Sequence, residues 1–222
     1  GAVINTTATF PNTAVGYSSM DSATTATGHT AMGSYSLTAM KTGVNNTAIG
    51  NAAMFEAVGT GTNLQQNTAV GRDALRVTRY FGNTGIGSQA LRNDTAGSYN
   101  SALGYQAMFD NLSGDFNAAF GYQASLNNET GSNNTSIGAT ALDNNTTGSD
   151  NTAVGYNANV STGALTNATA IGARKCCRSK CCNSQYECGH WYYHPQGQVT
   201  CGKRWRGWWW PYTNFFGRGN RK

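Results

Sequence analysis

Ten glycines recur along this chain at an almost constant interval: Gly16, Gly33, Gly50, Gly71, Gly87, Gly104, Gly121, Gly138, Gly155 and Gly172. Each step is 17 residues except two, 21 from Gly50 to Gly71 and 16 from Gly71 to Gly87. A 17-residue unit is too small to bury its own apolar side chains. Such units become stable only by lying against copies of themselves, so the period predicts a stacked array.

The residues around each glycine give the unit its local form. Immediately before it stands an apolar residue in every copy: Val15, Met32, Ile49, Val70, Ile86, Leu103, Phe120, Ile137, Val154 and Ile171. Two before it is Ala, with Gly85 and Ser136 as exceptions; three before it is Thr, with Ser101 and Ala118 as exceptions. Thr, a small residue and a branched or large apolar residue ending at Gly read as a short strand closed by a turn. Side chains alternate along a strand, so Thr and the apolar residue share one face and the small residue takes the other. The apolar column is expected to fill a thin interior, and the Ala face to let a second surface approach closely. Four before the glycine, Asn12, Asn46, Asn67, Asn83, Asn100, Asn117, Asn134 and Asn151 predict an Asn ladder, with His29 and Ala168 in the same place.

Gly97, Gly114, Gly131 and Gly148, each seven residues before an anchor glycine, mark a second turn, so two short strands per unit are expected. Gly, Asn and Thr at fixed points in every unit oppose a helix. The fold class is all-β: a parallel β-solenoid of about ten 17-residue coils, roughly 48 Å long at about 4.8 Å per strand.

The repeats Asn46-Thr47-Ala48-Ile49-Gly50-Asn51-Ala52-Ala53 and Asn151-Thr152-Ala153-Val154-Gly155-Tyr156-Asn157-Ala158 resemble the head repeats of trimeric autotransporter adhesins of the YadA type. Similar repeats occur in phage tail fibres and other surface fibres. The resemblance covers residues 11–173 and implies a left-handed β-roll assembled as a homotrimer on a cell or virion surface. The period is longer here than in the best-known adhesin heads, so an extra loop per coil is expected. No heptad stalk or amphipathic anchor strands follow the array.

Composition divides the chain into a lead-in (1–10), the array (11–173) and a tail (174–222). Residues 1–173 hold five Lys or Arg against nine Asp or Glu, whereas residues 174–222 hold ten against the single Glu187. All five tryptophans and all six cysteines (Cys176, Cys177, Cys181, Cys182, Cys188 and Cys201) lie in the tail. In an oxidising compartment those cysteines could form three disulfides; zinc held by Cys188, His190 and His194 competes with that reading. Lys203-Arg204-Trp205-Arg206-Gly207-Trp208-Trp209-Trp210 mixes cations with aromatics, which suits anionic lipid or polysaccharide. The tail is either an evolved cap over the end of the solenoid or an out-of-frame extension. Gly1, with no Met and no basic-then-apolar leader, suggests a mature or excised fragment.

No catalytic set is expected in the array. Its acids are scattered singly, and the Gly-x-Gly spacings at 59–61 and 85–87 lack the strand-to-helix context of a phosphate loop. The Asn-x-Ser/Thr triplets at Asn45, Asn111 and Asn128 are expected by chance in so Asn- and Thr-rich a chain. A four-residue insertion between Gly50 and Gly71, with Arg72, Arg76, Arg79 and Tyr80 after it, marks a candidate ligand loop. The expectation is an extracellular, non-catalytic adhesive fibre protein without metal or cofactor. It would bind itself and a host-surface glycan or matrix protein, not nucleic acid. The alternative is an ice-binding solenoid, set second because an inward Thr column could not meet ice.

Overall fold

In the computed structural model, residues 11–58 and 64–172 are described in full. Beyond them the backbone is described at residues 175–176, 191–193, 199–201, 203–205 and 208–210. The chain falls into two compact units, Gly1–Cys181 and Cys182–Lys222.

The first unit is the expected stack. Ten three-residue strands form one parallel sheet: β1 Thr13–Val15, β2 Thr30–Met32, β3 Thr47–Ile49, β4 Thr68–Val70, β5 Thr84–Ile86, β6 Ser101–Leu103, β7 Ala118–Phe120, β8 Thr135–Ile137, β9 Thr152–Val154 and β11 Thr169–Ile171. Every strand pairs in register with its successor, small residue on small residue throughout and Thr on Thr except where Ser101 and Ala118 stand in the Thr column, as in Thr30↔Thr47 and Ala31↔Ala48. The long and short steps are absorbed without slippage, since Thr47 still faces Thr68 and Thr68 faces Thr84. A β-solenoid of nine turns between first and last strand is the result.

Each coil before the last has one strand, not two. The rest of the coil is turns whose backbone bonds to the next coil, for example Leu37 N–H to the Ala53 carbonyl and Met108 N–H to the Ala124 carbonyl. Outside the main sheet, only Thr27, Val44 and Gln65 bridge in a row among the described residues of the earlier coils. A short strand β10 (Asn159–Val160) pairs with β12 (Lys175–Cys176), so parallel pairing continues beyond the expected stop near residue 173.

The anchor glycines are required twice over. Gly16 turns with φ 135°, a region closed to side chains, and a Cβ built on it would lie 2.5 Å from the Gly33 carbonyl oxygen. The same holds up the column, so the glycines do line the stack one strand apart.

The interior differs from expectation in which side of the strand it takes. Val15, Met32, Ile49, Ile86, Leu103, Phe120, Ile137 and Ile171 are exposed, and Val70 and Val154 are half-exposed. This apolar column is therefore an outer column, not the core. The core is made by the small residues at the strand centres (Ala31, Ala48, Ala69, Ala102, Ala119 and Ala153) with Met20, Leu37, Met54, Leu75, Leu91, Met108 and Leu142 from four residues after the glycine, where Ser125 and Asn159 stand in the two remaining coils. The reason is thickness. At the strand centre Gly85, an added Cβ would already be 3.1 Å from the Ala90 carbonyl oxygen and 3.3 Å from Leu75 Cγ. A Val or Phe cannot enter there, so alternation sends the large residue and Thr outward together. The Ala face is consequently sealed and offers no outside surface.

The second unit contains two antiparallel pairs, β13 (Trp191–Tyr193) with β14 (Val199–Cys201) and β15 (Lys203–Trp205) with β16 (Trp208–Trp210). The disulfide and zinc expectations for the tail fall on side chains outside the described residues.

Candidate functional site

The most extensive feature is the outer face of the main sheet. The strand residues carry no charge. Thr13, Thr30, Thr47, Thr68, Thr84, Thr135, Thr152 and Thr169 form one half-exposed to exposed column, continued through Ser101 and Ala118. The apolar column from Val15 to Ile171 runs beside it. Tyr17, Tyr105, Tyr122 and Tyr156, each directly after an anchor glycine, widen that column and are exposed. Tyr105 and Tyr122 stack with centroids 5.6 Å apart. An uninterrupted apolar stripe of this length, about 43 Å over nine strand spacings, is far more than scattered surface hydrophobes.

Inside the coils, the eight predicted Asn residues are buried and do form a ladder. Its bonds run to backbone more than from amide to amide. Asn100 N–H donates to Asn83 Oδ1 at 2.9 Å, and Asn117 N–H to Asn100 Oδ1 at 2.9 Å. Each Nδ2 reaches across the coil to a carbonyl, such as Asn100 to Gly114 O at 2.7 Å. His29 takes the same role: its N–H donates to Asn12 Oδ1, and Asn46 N–H donates to its Nδ1 at 3.0 Å. Nδ1 is thus an acceptor and Nε2–H faces the Gly43 carbonyl at 3.2 Å. Burial lowers the pKa of this imidazole below its usual value.

A second inner ladder escaped the sequence reading. It comprises Thr78, Asp94, Asn111, Asn128 and Asn145, all buried. Asn145 Nδ2 donates to Asn128 Oδ1 at 2.7 Å, Asn128 Nδ2 to Asn111 Oδ1 at 2.9 Å, and Asn111 Nδ2 to Asp94 Oδ1 at 3.0 Å. Burial pushes the Asp94 carboxyl well above the usual carboxylate range. Asp94 Oδ2 and Thr78 Oγ1 are both buried without a partner. The signal was the 17-residue spacing from 94 through 145, hidden because Asp and Asn were read as separate classes. Asn111 and Asn128, read as chance glycosylation triplets, point into the coil with their amides engaged.

The arginine cluster divides. Arg76 donates to Glu56 at 2.7 Å and lies over the Phe55 ring at 5.4 Å, so it braces two coils. Arg72 pairs with Asp73 at 3.5 Å. Arg79 and Tyr80 are exposed, and Arg79 makes no ion pair among the described residues. The inserted residues 59–63 lie outside the described residues.

Three rings form a second surface group. Phe81 meets Tyr99 edge-on with centroids 5.1 Å apart, and Tyr99 stacks on Phe116, also at 5.1 Å, with planes 14° apart. Among the described residues no group of three or more His, Cys, Asp or Glu is placed to hold a metal ion. No helix of the described residues is long and apolar enough to cross a membrane. Comparison with protein-family models, with curated proteins and with solved structures returned no match.

Proposed function

We propose that this chain is a subunit of a multi-chain adhesive fibre, assembled side by side through the outer face of its ten-stranded sheet. The observation that carries the reading is the exposed, charge-free apolar column from Val15 to Ile171. The fold of one chain does not need these side chains, since Ala, Leu and Met fill the coil without them. Leaving them in water forgoes about 25 cal/mol for each Å² of apolar area. A second copy, carrying the same stripe at the same rise, recovers that area along the whole stack. A homotrimer is the state that the resemblance to adhesin heads implies. The function that follows is mechanical and adhesive: a rigid rod presents each surface group once per chain, and linked weak contacts add into avidity. Among the described residues, the two buried titratable side chains, His29 and Asp94, are occupied by internal ladders, which favours a binding role over catalysis. Display outside a cell or on a virion belongs to the same proposal.

Light scattering of the full chain tests this. The expected mass is three times the 23.5 kDa of one chain. Leu103→Lys/Phe120→Lys should drop it to one chain without changing the circular dichroism, because both positions are exposed in the single chain. A monomer at all concentrations refutes the assembly.

Ice binding is the second reading, and the structure removes the objection to it. The Thr column faces out, on the same sheet as the apolar column. A monomer showing thermal hysteresis would put ice, not another chain, on this face.

A further inference from the structure

Two positions in each coil supply most of the buried apolar volume: the strand centre and the residue four after the anchor glycine. At one place in the stack both turn polar. Ser125 stands four after Gly121, where the coils on either side have Met108 and Leu142, and Ser136 stands at the centre of β8, where most coils have Ala. Both are buried, and their hydroxyls meet at 2.9 Å, with Ser136 Oγ also facing the Ala118 carbonyl at 3.4 Å. Two hydroxyls that satisfy each other can be buried, but they supply little of the apolar burial that a Leu or Met gives.

The interior is broken there. The buried apolar side chains of the described residues form two separate clusters, one from Met20 to Ala124 and the other from Ala141 to Ala170. Ser19 and Ser36 make a similar pair, also at 2.9 Å, without dividing the first cluster, because Met20 and Leu37 stand beside them. The two clusters are unequal. The first holds eight Leu or Met side chains, whereas the second has only Leu142 and Val160 larger than Ala among its buried members. In the last coil Asn159 occupies the Leu or Met position and donates to Asp143 Oδ1 instead.

The polar ladders run through the break unchanged. Asn134 N–H donates to Asn117 Oδ1 at 2.9 Å and Asn145 Nδ2 to Asn128 Oδ1 at 2.7 Å, as in other coils. They hold the register alike at each step, so the apolar contact is what varies along the stack. Each coil is stabilised by its two neighbours alone, so a stack comes apart where that contact is weakest.

We infer that the solenoid is built as two cooperative blocks with a seam at Ser125 and Ser136. The coils after the seam, residues 138–172, open and reclose while the coils before it stay folded. This conformational device needs no second chain, so it stands apart from the adhesive reading.

Hydrogen exchange of the full chain, read by mass spectrometry, tests it. The Leu91 and Leu142 amides hold the same place in their coils and donate to the Ala107 and Ala158 carbonyls at 3.0 Å and 2.9 Å. The Leu142 amide should exchange about tenfold faster or more, and protection should change in one step at the seam. Ser125→Leu/Ser136→Ala restores the usual pair. Ser125 has φ 49°, the value Leu75 also has, so the backbone accepts the Leu. That variant should slow exchange of residues 138–172 about tenfold, as for one buried Leu, and leave residues 64–121 within about twofold. Leu91→Ser/Ala102→Ser writes the same polar pair two coils earlier and should add a second step at residue 104. Equal protection of the two blocks overturns the inference. So does protection that falls coil by coil toward the end, which is ordinary fraying, a step that survives the first variant, or no new step in the second.

Discussion

Replacing Asp94 by Asn should stabilise the protein, and by an amount that depends on pH. In the inner ladder each Asn uses Oδ1 as acceptor for the coil after it and Nδ2 as donor to the coil before it. Asp94 performs the first task, accepting from Asn111 Nδ2 at 3.0 Å and from Gly97 N–H at 3.1 Å. It can perform the second only when Oδ2 carries a proton, and the neighbour in that direction is Thr78, whose Oγ1 also lacks a partner. Burial first, and the nearby Asp115 charge to a lesser extent, raise the folded-state pKa, against the lowering effect of Asn111 and Gly97. The sign follows from proton uptake. Below about pH 4, where an ordinary Asp is protonated, folded and unfolded chains both hold the proton and no penalty arises. As pH rises toward the folded pKa, only the unfolded chain releases it, so stability falls by about 1.4 kcal/mol per pH unit. Asn does not titrate, so at pH 7 it removes the cost of an ionisable carboxyl buried without a partner, worth about 1–3 kcal/mol. For a chain of this length that is a rise of about 2–12 °C in melting temperature. Thermal melts followed by circular dichroism at pH 3.5, 5 and 7 and fixed ionic strength measure it, and the variant-minus-parent difference cancels the other carboxylates. A difference near zero at pH 3.5 that grows to pH 7 is expected. A variant that melts below the parent at pH 7, or a difference independent of pH, refutes the reasoning.

Two further substitutions test the other ladder. His29→Asn should be neutral at pH 7.5 within about 1 kcal/mol, because Oδ1 can accept from Asn46 N–H and Nδ2 can donate to the Gly43 carbonyl. Burial holds the folded His29 pKa low, so as pH drops below about 6.5 only the unfolded parent chain gains the proton. The variant should therefore melt above the parent at pH 5, and identical acid responses would exclude the neutral-imidazole role. Asn134→Ala should strand the Asn151 N–H, 3.0 Å from Asn134 Oδ1, whereas the Gly148 carbonyl loses the bond from Asn134 Nδ2 at 2.9 Å but keeps the one from Asn145 Nδ2 at 2.9 Å. At about 1–3 kcal/mol for the stranded N–H and about 0.5–1.5 kcal/mol for the lost bond, the loss should reach about 1.5–4.5 kcal/mol in urea unfolding. A loss under about 1 kcal/mol would show the ladder to be dispensable.

The period, the anchor glycines and the Asn column were legible because a stacked coil sees the same environment at every repeat. Only glycine fits beside the next coil's carbonyl, and only a short acceptor-and-donor side chain bridges one coil rise while crossing the narrow interior. Each of those demands acts within a unit or between equivalent positions, so seventeen-residue spacing exposes it. The second ladder was legible in principle through the spacing from Asp94 to Asn145. Its chemistry was not, because the state of Asp94 depends on burial.

Which face of the strand turns inward was decided by the tertiary structure alone. Alternation is symmetric: Thr-Ala-Ile satisfies it equally well with Ile inside or Ala inside. Size variation held a hint, since the centre position never exceeds Ser whereas the outer one ranges from Val to Phe. The choice itself comes from the distance across the coil, where Leu and Met from the opposite turn already fill the space that a second large side chain would need. That distance is set by the glycine turns and the carbonyls they bring together, and it places the apolar column in the solvent, where another surface can reach it.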